Sequence, residues 1–110
     1  MTRPLGAALL GSLEEQVMLA VIRTGGEAYG MNVRRELEQV TGREMTIGSV
    51  YATLDRLEAK QMVHSARSAA PDITSRRIFG VTPLGIRSLA LTRATRDRLW
   101  AGVRLERLAR

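Results

Sequence analysis

Thr46-Ile47-Gly48-Ser49-Val50-Tyr51-Ala52-Thr53-Leu54-Asp55-Arg56-Leu57 is the stretch whose reading decides the fold. Thr46 makes a good N-cap, because its hydroxyl can accept one of the backbone N–H groups left open at a helix start. Ile47, Val50, Leu54 and Leu57 then recur at spacings of 3, 4 and 3, which is one face of a helix. At about 100° per residue the other side presents Ser49, Ala52, Thr53, Arg56 and, just beyond, Lys60. These are small, polar or cationic residues with no acid among them, while Tyr51, Asp55 and Glu58 lie on the flanks. Two readings fit such a helix. Its outer face is either simply solvated or packed behind and turned toward phosphates and base edges in front.

Upstream, Ser12-Leu13-Glu14-Glu15 has the pattern of a capping box, with Ser12 as N-cap and Glu15 reaching back. Leu13, Val17, Leu19, Ala20 and Val21 predict a first helix apolar on much of its circumference, stopped by Gly25-Gly26. A second helix is expected from about Gly30 to Val40. Met31, Val33, Leu37 and Val40 would face inward, Arg34, Arg35, Glu38 and Gln39 outward, and Gly42 would end it.

Downstream, Met62-Val63-His64-Ser65 and Arg77-Ile78-Phe79-Gly80-Val81 alternate as short strands, with Ala66 to Arg76 as the hairpin tip. Thr82-Pro83 then starts a helix, with Thr as N-cap and Pro at the first helical position. No later proline interrupts it, so it is expected to run almost to Arg110, about 40 Å at 1.5 Å per residue, with Gly102 a weak point. Three helices, a β-hairpin and a long helix make a mainly α chain with a small hairpin. That is the α+β architecture of a winged helix-turn-helix with a long C-terminal dimerisation helix. The expected division is a winged domain over 1–82 and the terminal helix over 83–110. So small a domain cannot cover the terminal helix. Its stripe of Leu89, Thr92, Leu99, Trp100, Val103 and Leu108, broken by Arg93 and Arg96, predicts a seam with a second copy, with Leu13 beside it.

Composition narrows the function classes. A chain of 110 residues has room for one modest core. With no cysteine, disulfides and thiol chemistry are excluded, which suits the cytoplasm. The apolar run Val17–Ile22 is far shorter than the roughly 20 residues of a membrane span, and no secretory signal pattern is expected at the start. The net charge of +6 is uneven: residues 1–59 carry −2, 60–82 carry +3 and 83–110 carry +5. A polyanion partner explains that gradient, and so does plain arginine-rich usage, since 16 of the 17 cations are Arg. One histidine, His64, without cysteine or an acid–base partner, predicts neither a metal site nor an enzyme. Gly25-Gly26 lacks the lysine and spacing of a phosphate loop, so no cofactor is expected.

Taken together, the motifs resemble the PadR family of bacterial transcriptional regulators over roughly residues 12–92. Leu13-Glu14 is similar to the start of its first helix, and Gly30, Val33 and Arg35-Glu36-Leu37 to its second. The Thr46–Leu57 run is similar to the family's most distinctive segment. Arg76-Arg77-Ile78-Phe79-Gly80-Val81-Thr82-Pro83-Leu84-Gly85 is similar to its second wing strand and the start of its dimer helix. The short final helix looks like the compact branch. The chain departs from the pattern at Met31, where a tyrosine is usual, at Gln61-Met62 in place of Gly-Leu, and in the wing, whose aromatics are reduced to Phe79.

The resemblance implies a homodimer on double-stranded DNA, acting usually as a repressor. It implies that the Tyr51 hydroxyl reaches a phosphate, against the plainer reading of packing on the second helix. Arg56 and Lys60 are the expected phosphate contacts, and Ser49 and Thr53 the expected base readers. Arg67, Arg76 and Arg77 on the wing are placed for backbone or minor-groove contact, the plainer reading being solubility charges. Tyr29 and Thr46, which open the second and third helices, complete the candidate set. Members of this family can bind planar ligands between dimer helices, so Trp100 is either one wall of a small aromatic effector site or plain interface packing. The alternatives from other classes are a winged-helix protein-interaction or scaffolding module and a peripheral helix on an anionic membrane surface.

Overall fold

The computed structural model describes residues 6–67 and 76–109. Its elements in chain order are α1 (Ser12–Thr24), α2 (Gly30–Thr41), α3 (Ile47–Ala59), β1 (Val63–Arg67), β2 (Arg77–Val81) and α4 (Pro83–Trp100), with short 3₁₀ turns at Gly25–Glu27 and Leu105–Arg107. The two strands pair antiparallel with Val63 opposite Val81 and Arg67 opposite Arg77. The expected winged helix-turn-helix is therefore the observed fold. Of the expected hairpin tip, residues 68–75 lie outside the described residues.

The core forms where α1, α2 and α3 meet under the hairpin. Val17 and Met18 of α1, Val33 of α2, and Val50, Leu54 and Leu57 of α3 are fully buried, with Met62, Val63 and Phe79 closing the layer from the wing side. The backbone N–H of Phe79 donates to the carbonyl of Ala28 at 2.9 Å, which pins the wing to the loop that leads into α2.

Four sequence expectations are corrected here. The cap of α1 is Gly11, whose N–H donates to Glu14 Oε1 at 3.0 Å; Ser12 is already inside the helix, and Glu15 pairs elsewhere. Leu19, Met31 and Val40 are not core residues. Leu19, Ile22 and Val40 instead line an apolar groove of about 280 Å³ between α1 and α2. On α3 the buried sector is Val50, Thr53, Leu54 and Leu57, rotated toward Thr53 and away from Ile47. Thr53 can be buried because its hydroxyl donates to the Ser49 carbonyl at 2.9 Å, so no polar atom is stranded. Finally, α4 stops at Trp100, and Gly102 takes φ +78° just beyond it. Its 18 residues span about 27 Å, not 40.

The chain turns from α3 into the wing through a left-handed residue. Gln61 N–H donates to Glu58 O and Met62 N–H to Leu57 O, both at 2.9 Å, which is the pattern of a Schellman cap. Gln61 occupies its left-handed position with φ +62°, where a side chain is strained and glycine is usual. Gln61→Gly is expected to raise stability by about 1 kcal/mol, read as a higher urea midpoint at unchanged slope.

The start of α4 is locked twice. Thr82 Oγ1 accepts from Gly85 N–H at 3.0 Å and donates to the Gln61 carbonyl at 2.7 Å. The segment before α1 then lies along α4: Ala8 N–H donates to Ser88 Oγ at 3.1 Å and Leu10 N–H to Thr92 Oγ1 at 3.0 Å. Leu89 and Thr92 are thereby buried within their own chain, and Leu13 is half-buried against the same core. Within a single chain Leu89 and Thr92 therefore offer little surface to the expected seam, while Leu13 keeps part of its own.

Candidate nucleic-acid interface

The N-terminal end of α2, the flank of α3 and the base of the wing enclose a cleft of about 520 Å³. Its walls are Tyr29, Met31 and Arg35 from the α2 side, Tyr51 from α3, and Arg67, Arg76 and Arg77 from the hairpin. Four arginines and two tyrosines thus line one cleft, a residue set suited to an anionic backbone. Arg35 joins the candidate residues only in the structure. Its sequence signal, an outward position one turn into the second helix, is shared by ordinary solvated arginines.

Two aromatic contacts order the wing side. The Arg76 guanidinium lies over the Tyr29 ring at 4.7 Å, and that of Arg77 over Phe79 at 4.8 Å. Arg77 is also held by carboxylates, at 2.6 Å from Glu58 and 3.1 Å from Asp55. Ser65 Oγ donates to Glu58 at 2.8 Å beside them. The acids flanking α3 therefore brace the wing and offset much of the Arg77 charge, so Arg76 is the stronger candidate for a phosphate.

The expected outer face of α3 is divided. Thr46 caps the helix, accepting from Ser49 N–H at 3.1 Å, and Ser49 is half-exposed in the first turn. Thr53 is 1% exposed and cannot reach a base edge. Lys60 and Arg56 point back to the start of α1, with Lys60 Nζ at 2.8 Å and Arg56 Nε at 3.9 Å from Glu14 Oε2. The next residue, Glu15, accepts from Arg96 of α4 at 2.7 Å. Lys60 is thus engaged in a fold contact at the end of α3 remote from Thr46.

Burial alone would raise the Glu14 pKa. The hydrogen bonds from Lys60 and the Gly11 N–H, with the charges of Lys60 and Arg56, outweigh it and leave the pKa below its ordinary value. A lowered carboxylate pKa stabilises the fold above the unfolded-state value and loses that contribution as pH falls through the folded one. Lys60→Ala is accordingly expected to lower stability by about 1 kcal/mol at neutral pH, allowing for solvent screening. The deficit should shrink in acid, while the salt slope of any duplex binding stays at its parental value. A changed slope with unchanged stability would return Lys60 to the interface.

A capped helix at the edge of a basic cleft, with an antiparallel wing beside it, defines a winged helix-turn-helix of the DNA-binding class. Residues 18–91 match the model of the Transcriptional regulator PadR-like family, and the chain belongs to that family. Members are transcriptional regulators, not enzymes. Among solved structures, the fold is shared with a PadR-like transcription factor from Bacteroides fragilis (21% identity, TM-score 0.69, covering 79% of this chain and 82% of that one). It is also shared with a PadR family regulator from Eggerthella lenta (24%, TM-score 0.65, 82% of each chain). A third is a transcriptional regulator from Clostridium thermocellum (15%, TM-score 0.71, covering 89% and 93%). An uncharacterized 37.1 kDa protein in transposon TN4556 of Streptomyces fradiae is 32% identical over 72 residues, which is 66% of this chain and 20% of that protein. The chain therefore spans only about a fifth of the length of that relative. Among the described residues no helix is long and apolar enough to cross a membrane.

Proposed function

We propose that the chain acts in the cytoplasm as a homodimeric repressor that binds an interrupted palindromic operator and is released by a small planar effector. The observation that carries the DNA reading is the cleft between α2, α3 and the wing. There Tyr51, Arg35, Arg67 and Arg76 converge. In this reading the cleft grips the phosphate backbone and Ser49 meets a base edge. Support for the dimer comes from the end of α4. Leu99 is 73% and Trp100 56% exposed in a single chain, and apolar surface of that size is stable when covered. A planar effector would stack on Trp100 at the same place.

Selection from a random duplex library is the test. Two half-sites in inverted orientation, about one helical turn apart, are expected. Ser49→Ala should relax the preference at one base pair per half-site by about 1–3 kcal/mol. Recovery of no motif, with retention on anionic vesicles or an acidic protein instead, would overturn the DNA reading.

A further inference from the structure

Gly30 opens α2 with a φ outside the left-handed region, so its backbone conformation does not require glycine. The space around it does. A Cβ at Gly30 would stand 2.4 Å from Cζ of Tyr51, 2.5 Å from its hydroxyl oxygen and 2.8 Å from Cε1. The hydroxyl end of the Tyr51 ring thus rests on the bare Cα of Gly30. The residue before it, Tyr29, carries the Arg76 guanidinium on its ring at 4.7 Å. Two consecutive residues therefore seat one donor from α3 and one from the wing in the same cleft.

We infer that Gly30 is a positioning residue for DNA binding: its missing side chain is the seat that aims the Tyr51 hydroxyl into the cleft. The inference rests on the reading of the cleft as a DNA-backbone site. Its physical signature is a change of sign. At the open start of a helix, Gly→Ala ordinarily stabilises, because alanine restricts the unfolded chain and favours the helix. At Gly30 the new methyl meets the hydroxyl end of a half-buried ring, which must shift from its present place in the cleft.

The test is a double-mutant cycle on the full chain, read by thermal unfolding and by anisotropy of a labelled random-sequence duplex. Gly30→Ala is expected to lower the Tm and weaken duplex binding about tenfold, a loss of ~1.4 kcal/mol. Tyr51→Phe should keep the Tm yet weaken binding, because only the hydroxyl is gone. With Tyr51→Ala already in place, Gly30→Ala should raise the Tm and leave binding where Tyr51→Ala put it. Equal losses from Gly30→Ala in both backgrounds would overturn the inference. Should Gly30→Ala fail to fold, the double variant is expected to fold, and its failure would overturn the inference as well. Absence of salt-dependent duplex binding by the intact chain would defeat the DNA reading, and the Tm half of the cycle would still decide whether Gly30 seats Tyr51.

Discussion

Gly85→Ala is expected to destabilise the winged domain by about 3 kcal/mol, enough to unfold much of a marginally stable domain. A Cβ there would stand 2.2 Å from the carbonyl oxygen of Met62, 2.8 Å from Val81 Cγ1 and 2.9 Å from Met18 Cε. Met18 has a flexible side chain that can yield. The Met62 carbonyl cannot, because it is backbone and already accepts from Thr82 N–H at 3.0 Å, the contact that sets the start of α4. Helix α4 would have to lift from the hairpin, uncovering Met62 and Val63, which are 5% and 2% exposed. On an open helix the same substitution would be neutral or favourable. Urea unfolding measures the difference. A midpoint at or above that of the parent would show that α4 does not approach the wing so closely.

The elements of this fold were legible because each carries its own punctuation. The Thr46 cap, the Thr82-Pro83 start and the Gly25 and Gly42 stops act locally, and the structure places helix ends at all four. What sequence periodicity could not supply was which neighbour each face meets. Thr53 looks outward on an ideal wheel, yet a threonine that bonds its own backbone loses little by burial, and the packing rotated α3 toward it. Lys60 and Glu14 are 46 residues apart, so their pairing has no local signal. The same holds for the segment before α1, which bonds to Ser88 and Thr92 on α4, where the imperfect apolar stripe predicts a partner. The cleft was half legible. Tyr29, Tyr51, Arg67, Arg76 and Arg77 were recognisable as candidates, whereas Arg35 joins them through the packing of the wing beside α2, where Phe79 N–H bonds to the Ala28 carbonyl.

Replacing Leu99 and Trp100 together with Glu is expected to turn a homodimer into a folded monomer. That change should weaken binding to a two-half-site operator by about 10²–10⁴-fold, the effective-concentration advantage that linkage provides. Both side chains are largely exposed, at 73% and 56%, so the protomer's own packing should survive the double change. What they support, in the proposed dimer, is a seam. Val103, Leu105 and Leu108 follow at 47%, 53% and 77% exposure, so the chain past α4 continues an apolar surface. Covering a Trp or Leu side chain is worth about 1.5–3 kcal/mol, and two protomers contribute each one twice. Leu89→Ala separates this from a general loss of structure. Leu89 is 9% exposed within its own chain, so its truncation should lower the Tm of the protomer through a cavity. Sedimentation velocity at micromolar concentration gives the assembly state, and anisotropy on duplexes with one or two half-sites gives the linkage. The parent should favour the two-site duplex strongly, and the Leu99→Glu/Trp100→Glu chain should bind both duplexes alike. An intact chain that sediments as a monomer, or a double variant that remains a dimer, would place the seam elsewhere, with the apolar groove of Leu19, Ile22 and Val40 the next surface to alter.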